Sequence, residues 1–325
     1  MMNFYIAFVA LMLERFFAYP MVLQMLYRHP VEWIGDFIFW FEEKYNFGTS
    51  ELGSSEQCKK MGFLMIAILV FACLLISLLL IFLTNLLPFS WFFQGLIAFT
   101  LISQKQLGDA VRAVENGLDI SLNEAREALS HIVGRDVNNL EEEEISRGAI
   151  ETLAENASDG FIAPLFYLLI FGLPGIIIYK AINTADSMVG HKNERYIDFG
   201  FASAKVDDIV NYIPARLSAI LFIISAMIYR KSSNWKEASI AVLNDADKHA
   251  SPNAGYPEAA MAGALGFSLG GKRKYGGEEL DLAQMGNGKR DLTKEDIKIA
   301  LGFYSFMSGF VLFLTFIGAW FILVF

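Results

Sequence analysis

A chain of 325 residues that is 54% hydrophobic, 14% aromatic and only 19% charged carries too little charge for an ordinary soluble domain of this length. Its formal net charge of −9, without a basic stripe among aromatic residues, excludes nucleic acid as a partner. Two cysteines and four histidines are too few for a disulfide framework or for a Cys- or His-rich metal site.

Segments without charge mark the predicted membrane helices. These segments are 61–104, 161–179, 301–325 and, interrupted only by Arg216, 209–229. A spanning helix needs about 20 apolar residues, because it rises roughly 1.5 Å per residue through a hydrocarbon core of about 30 Å. The first segment is long enough for two helices separated near Pro88, and residues 1–13 are apolar and expected to be retained. We therefore predict an all-α, polytopic integral membrane protein with about five or six membrane helices and no strands.

The polar regions between these segments define the predicted organisation. We expect one membrane domain over 1–325, with a helical soluble insert at 103–160 and a cytoplasmic loop region at 230–300. Lysine and arginine are concentrated in these two regions and in 20–60, and the positive-inside tendency places all three in the cytoplasm.

The polar region 180–208 conflicts with a simple alternation of spans, which would put it outside. One resolution is that 161–179 is a helical hairpin, broken at Gly172-Leu-Pro-Gly175, that dips into the membrane and returns. Broken helices of this kind are tolerated where they are buried in protein or line a cavity. The sequence leaves both arrangements open.

The soluble insert shows helix-start signals. Ser121-Leu-Asn-Glu124 has the capping-box form of a helix start. Gly134 is expected to end that helix. Glu141–Glu144 are interpreted as first-turn acids, which the positive end of a helix dipole favours.

One helix, 141–159, carries a line of ionisable residues. Arg147, Glu151, Glu155 and Asp159 recur at spacing four and so share one slowly drifting face. The three carboxylates could hold Mg²⁺ beside phosphate oxygens and water. The alternative is an ordinary solvated face.

Two further stretches are dense in functional side chains. Asn183–Tyr196 could supply cations to a phosphate and a carboxylate to a metal, or could be a solvated loop, and Asp207-Asp208 follow it. Arg216 is the one charge within its apolar segment. Such a group usually faces a cavity or a partner, although snorkelling to the headgroups is the alternative.

The segment 245–258 predicts a helix followed by a shaped turn. Asp245 and His249 are expected four residues apart on one helix, either as a metal pair or as a plain surface pair. Pro257 suits the first position of the next helix. Gly266–Lys272 resembles a phosphate loop, but Arg273 replaces the required Ser or Thr, and we reject that interpretation.

Several polar motifs follow one another between the apolar segments. They are His29-Pro-Val-Glu-Trp-Ile-Gly35, Val133-Gly-Arg-Asp136, Ile150–Gly160, Asn183–Tyr196, Asp207-Asp208, Ile213-Pro-Ala-Arg216 and Asp245–Gly271. In this order, over roughly residues 10–275, the chain resembles the CobD/CbiB family of cobalamin biosynthesis, adenosylcobinamide-phosphate synthase.

The resemblance implies an ATP- and Mg²⁺-dependent amide ligation. (R)-1-aminopropan-2-ol or its O-phosphate would be joined to the f propionate of adenosylcobyric acid, after ATP has converted that carboxylate to an acyl phosphate. The reaction needs a metal, cations for phosphate oxygens and a base for the ammonium group. On this resemblance we expect metal binding by Glu151, Glu155, Asp159 and Asp186. Substrate or phosphate binding is expected of His29, Asn183, Lys192, Arg195, Arg216, Asn253 and Glu258, and catalysis of Asp208, Asp245 and His249.

Because ATP is cytosolic, the resemblance also implies an inner-membrane protein whose active site faces the cytoplasm. The expected partners are these small substrates, membrane lipid and other enzymes of nucleotide-loop assembly. A transporter would carry its polar groups at mid-membrane, whereas here they lie between the apolar segments. The remaining alternative is a non-enzymatic membrane sensor or scaffold related to the family, in which the acidic and His/Asp motifs would have decayed.

Overall fold

The computed structural model describes residues 2–17, 28–46, 54–229, 233–275 and 278–324, apart from the side chains of 272–281 and 323. The α-helices to Phe99 are α1 (Asn3–Phe17), α2 (Pro30–Tyr45), α3 (Ser55–Asn85) and α4 (Ser90–Phe99). Those that follow are α5 (Gln104–Ile120), α6 (Leu122–Ser130), α7 (Glu142–Asn156), α8 (Ala163–Val189) and α9 (Phe201–Val210). The last are α10 (Tyr212–Tyr229), α11 (Trp235–Asp245), α12 (Gly255–Leu265) and α13 (Lys294–Val324).

The chain divides into two compact units. The first comprises Met1–Ser103, Ala163–Asn211 and Thr315–Phe325, and the second comprises Gln104–Ile162 and Tyr212–Leu314. The first unit therefore contains α1–α4, α8, α9 and the end of α13. The second contains α5–α7, α10–α12 and the beginning of α13.

Four stretches of the described chain are long and apolar enough to cross a membrane. They are Ser55–Asn85, Glu142–Val189, Tyr212–Tyr229 and Lys294–Ile322. The expected all-α membrane protein is confirmed, with four candidate spans in the described residues instead of five or six. The difference arises because the apolar segment after Pro88 forms only the ten-residue α4 before the chain turns at Thr100, and α1 has only 15 residues.

The break expected in the apolar segment 161–179 is confirmed within the first unit. Gly172 in α8 has φ 66° and ψ −150°, a conformation that residues with a side chain avoid. The rings of Tyr167 and Tyr179 stack with centroids 5.2 Å apart, whereas a straight helix would separate the two residues by about 18 Å. Helix α8 therefore folds back on itself, and the stretch Glu142–Val189 is not one straight span.

In the second unit, most of the expected helix signals are confirmed. The Ser121 hydroxyl caps α6 by accepting a bond from the Glu124 amide at 3.2 Å, and Glu141 and Glu144 form a capping box at the start of α7. Helix α7 continues into one π-helical turn, Ala157–Ile162, which contains Asp159. Helix α6 ends at Ser130, before Gly134.

A β-hairpin in the second unit was not predicted. Strands β1 (Leu269–Tyr275) and β2 (Glu278–Met285) pair antiparallel, with Leu269 opposite Met285. The register shifts between Gly270 and Lys272, and Gly270 and Gly271 have φ values of 72° and 79°. This bulge breaks the two-residue alternation by which a strand is recognised in sequence. It also removes any phosphate-loop geometry, because a strand and not a helix follows Gly266.

Candidate functional site

A polar cavity of about 130 Å³ lies within the second unit, where the loop after α6 meets α7 and the first turn of α12. Its lining residues are Ile132, Val133, Gly134, Arg135, Gly148, Glu151, Thr152, Glu155, Asn156 and Glu258. The cavity thus unites side chains from three separate motifs of the sequence. Three predicted site residues are among them: Glu151, Glu155 and Glu258.

One wall of this cavity is a buried ion pair. Arg135 Nη2 lies 3.6 Å from Glu151 Oε2, and their side chains are only 8% and 5% exposed. The Gly270 amide donates to the other oxygen, Oε1, at 2.7 Å. Buried charges need such compensation, because an unpaired one is strongly disfavoured. Since Arg147 is buried too, the solvated-face alternative for this helix is wrong at its first two positions.

Glu151 was expected to bind a metal, and its contacts are relevant to that role. Both of its carboxylate oxygens face partners that belong to the protein. Glu155 also lines the cavity, and Asp159 follows one turn later in the π-helical segment. The fourth expected ligand, Asp186, belongs to the first unit. Among the residues that the structure describes, no group of three or more His, Cys, Asp or Glu side chains could hold a metal ion.

His249 lies next to Glu258, one of the residues that line the cavity. Its Nε2 lies 3.7 Å from Oε1 of Glu258, whose side chain is 4% exposed. The His249 Nδ1 accepts a 3.0 Å hydrogen bond from the Ser251 amide. The same Nδ1 also lies 3.3 Å from the Ser251 carbonyl oxygen, so both backbone groups of Ser251 contact this side of the ring.

The expectation that Asp245 and His249 share one helix is wrong. Helix α11 ends at Asp245, a 3₁₀ turn follows over Ala246–Lys248, and His249 is extended with ψ 146°. The Asp245 carboxylate ends the helix by accepting from the Gly286 amide at 3.1 Å and pairing with Lys248 at 2.9 Å. It therefore anchors the end of the β-hairpin. Helix α12 begins at Gly255, two residues before Pro257.

Arg216 has partners within the second unit. Its guanidinium carbon lies 3.5 Å from the ring centroid of Tyr212 and 4.0 Å from that of Tyr256. Its Nη1 lies 3.4 Å from Oδ1 of Asn253, another predicted site residue. The Tyr256 hydroxyl donates to Asp247 at 2.7 Å, which raises the pKa of that tyrosine. Stacked cation–π contacts of this kind leave the edge of the guanidinium available to an anion.

The first unit contains a separate polar cluster around Asp207. The amides of Asn211 and Asn183 lie 2.9 and 3.4 Å from its carboxylate oxygens, and the Tyr179 hydroxyl donates to Asn211 at 2.9 Å. Burial raises the pKa of Asp207 to about 7, and the nearby carboxylate of Asp186 adds to the shift. The expected site residues Asn183 and Asp186 therefore belong to this cluster.

Three other predicted residues of the first unit have local partners. Arg195 forms a two-point ion pair with Glu42, at 2.8 and 2.9 Å, which raises the pKa of this arginine. His29 caps α2 by accepting from the Val31 amide at 3.2 Å, and burial lowers its pKa. Asp208, expected to be catalytic, lies 3.6 Å from the amine of Lys205.

Three contributors were not assigned a role from sequence. Arg135 was noted only as part of a motif, Tyr256 only as part of the segment 245–258, and Tyr212 not at all. The signal for Arg135 was an arginine preceded by glycine in a short loop between two helices. Nothing in a helical periodicity reveals that such a loop folds onto α7.

The chain has close relatives among known proteins. A family model described as CobD/Cbib protein matches residues 7–304. The cobalamin biosynthesis protein CobD of Brucella anthropi is 42% identical over 320 residues, covering 95% of this chain and 96% of that protein. The protein of the same name from Halalkalibacterium halodurans is 40% identical over 294 residues, covering 89% and 90%. No solved structure matches.

Proposed function

Because this chain belongs to the CobD/CbiB family of cobalamin biosynthesis proteins, we propose that it is an ATP-dependent amide ligase. In this proposal the amine is (R)-1-aminopropan-2-ol or its O-phosphate, and the acceptor is the f propionate of adenosylcobyric acid. The product is adenosylcobinamide or its phosphate. The observation that carries the proposal is the polar cavity of the second unit, which joins motifs that are far apart in the sequence.

We assign this cavity to the amine substrate. Its volume of about 130 Å³ lies below the roughly 300–1,000 Å³ of cavities that hold drug-sized ligands. A small aminoalcohol suits such a space, whereas a corrinoid or a nucleotide is too large. Glu258 on its wall offers a carboxylate to an ammonium group. Arg135, the arginine of the cavity wall, is paired with Glu151.

Amide formation requires the ammonium group to lose a proton before it attacks. Glu258 is the better candidate for this base than His249, because Glu258 is one of the lining residues of the cavity and His249 is not. His249 Nε2 lies 3.7 Å from the Glu258 carboxylate, close enough to orient it. His249 is therefore a positioning residue in this proposal.

ATP, when bound, supplies the phosphoryl group that turns the carboxylate oxygen into a leaving group. For its Mg²⁺, the chain offers Glu155 and Asp159 one helical turn apart, and magnesium commonly takes one or two protein carboxylates beside phosphate oxygens and water. Arg216 with Asn253, and the exposed Lys192, are the cations and donors that we assign to phosphates. The paired state of Glu151 fits a structural role better than a metal role.

We place the protein in the inner membrane with these groups on the cytoplasmic side. The reversal of α8 at Gly172 supports a cytoplasmic position for Lys192, because a segment that returns to its own side leaves the residues after it on that side.

The experiment is a reaction of the detergent-solubilised full chain with adenosylcobyric acid, Mg²⁺, ATP and either form of the amine, followed by mass spectrometry. We expect a product that has gained the amine and lost one water, with one ADP formed per product. The Glu155→Gln variant should form no product while reaching the membrane in normal amount. Absence of product from the wild type with both amines contradicts the proposal.

A further inference from the structure

Arg147 is a buried charge without an internal partner in the second unit. It lies in α7, and only 7% of it is exposed. Among the residues that the structure describes, it makes no hydrogen bond and no ion pair. Burial of this kind is costly, because a guanidinium group stays protonated and loses its water. An arginine in this state indicates a binding site for an anion.

Arg290 reaches the same place from the segment that follows the β-hairpin. Its Nη2 donates to the Gly270 carbonyl at 3.3 Å, and the Gly270 amide donates to Glu151, one helical turn after Arg147. Gly271 leaves room for this guanidinium group, because a Cβ atom at that position would collide with it. Arg290 is only partly buried and has no carboxylate partner in the described part of the chain. It therefore extends the site of Arg147 to a position that solvent reaches.

The charged groups around Arg147 leave a positive excess. The guanidinium groups of Arg135 and Arg290 act on it electrostatically, and so do two carboxylates, those of Glu144 and Glu151. Glu151 is already paired with Arg135. Glu144 takes part in the capping box at the start of α7. The guanidinium groups of Arg147 and Arg290 are therefore the ones available to a ligand.

Two such guanidinium groups suit a phosphoryl group better than a carboxylate. A phosphate ester carries a charge of roughly −1.5 to −2 at neutral pH and has three acceptor oxygens. The planar fork of an arginine binds these oxygens in pairs. A carboxylate carries a single charge, which one arginine neutralises, as Arg135 does for Glu151.

We propose that Arg147 and Arg290 bind a phosphoryl group of a substrate. The site adjoins the cavity that we assign to the amine, because Arg135 and Glu151 belong to both. The proposal rests on the ligase function for the source of the phosphoryl group, which is ATP or the O-phosphate of the amine. Both sources present the same chemistry to the two arginines.

The test is isothermal titration of the detergent-solubilised full chain with three ligands in turn: ATP, aminopropanol O-phosphate and pyrophosphate. Adenosylcobyric acid is left out, so no amide forms and the result does not depend on ligase activity. Arg147→Met should weaken the binding of the phosphate compound by roughly tenfold or more. Arg112→Met makes the same change at an exposed position of α5 and should leave binding unchanged.

The three ligands separate the sources. A loss confined to ATP and pyrophosphate assigns the site to the triphosphate, and a loss confined to aminopropanol O-phosphate assigns it to the amine substrate. A loss for pyrophosphate alone keeps the phosphoryl site and counts against the ligase function. The binding of unphosphorylated aminopropanol should be the same in Arg147→Met and in the wild type.

Stability gives a second readout, which a structural arginine would not give. Because Arg147→Met removes a buried charge that has no internal partner, the variant should unfold at the same or a higher temperature than the wild type without ligand. Arg290→Met repeats the binding test at a partly buried position. Equal affinity of the wild type and both variants for all three phosphate compounds would overturn the proposal. So would a wild type that binds none of them, or an Arg147→Met variant that unfolds at a lower temperature.

Discussion

Arg135 and Glu151 form a buried ion pair, with Nη2 and Oε2 3.6 Å apart and both side chains less than a tenth exposed. The pair attaches the loop that follows α6 to the middle of α7. Through the Gly270 amide, Glu151 also attaches the start of the β-hairpin to the same point. Three separate segments of the second unit thus meet at one carboxylate, beside the cavity to which we assign the amine.

Arg135→Met should destabilise the protein, because it leaves the Glu151 carboxylate buried without its arginine. Breaking a buried pair in this way typically costs about 3–5 kcal/mol. The double variant Arg135→Met/Glu151→Gln removes both charges and keeps an acceptor for the Gly270 amide, so it should recover most of that loss. Thermal unfolding in detergent measures both. A single variant as stable as the wild type would show that the pair contributes nothing.

Glu258→Gln should lower kcat for amide formation by about 10²- to 10⁴-fold, the usual contribution of a general base. The glutamine keeps the shape of the side chain but cannot accept the ammonium proton. The steady-state rate at saturating substrate concentrations is the measurement. Glu143→Gln, at an exposed position at the start of α7, is the matched control and should leave kcat unchanged. An unaltered kcat in Glu258→Gln would remove this residue from the base role.

Sequence reasoning predicted the local features of this chain better than the distant contacts. The reversal at Gly172 and the helix starts at Ser121 and Glu141 depend on residues close in sequence, and all three are confirmed. The β-hairpin was missed because glycines at its bulge interrupt the alternation that identifies a strand.

The candidate site shows the same difference between local features, which were predicted, and distant contacts, which were not. The acids of α7 were identified from their spacing, but the partners of Glu151 are 16 and 119 residues away in the chain. Helical periodicity places Glu151 on a face without saying what covers that face. The expected Asp245–His249 pair failed for a related reason: a hydrogen bond from Gly286 favours ending α11 at Asp245.

Gly172→Ala should destabilise the first unit by about 1–3 kcal/mol, because its φ of 66° and ψ of −150° are strained for any residue with a Cβ atom. Gly108→Ala is the control. An added Cβ there lies 3.7 Å from the Tyr304 ring, an ordinary contact, and alanine within a helix is favoured by about 0.5–1 kcal/mol. Unfolding temperatures of the two variants should shift in opposite directions. A neutral Gly172→Ala would contradict the reversal of α8.

The returning hairpin also predicts that the loop after α8 lies on the cytoplasmic side. Lys192→Cys, introduced after Cys58 and Cys73 have been replaced by serine, should react with a membrane-impermeant thiol reagent only in inside-out vesicles. Cys58 and Cys73 are both buried, so their replacement removes background without exposing a new thiol. Reaction of intact cells stripped of their outer membrane would place this loop outside.

The ligase proposal is tested most directly by complementation of a bacterial strain that lacks its own adenosylcobinamide-phosphate synthase. The strain carries this chain and is grown, under conditions that require cobalamin, on cobyric acid or on cobinamide. The proposal predicts growth on both, with growth on cobyric acid lost in the Glu258→Gln variant at equal membrane expression. Growth on cobinamide alone, with the wild-type chain present in the membrane, would contradict it.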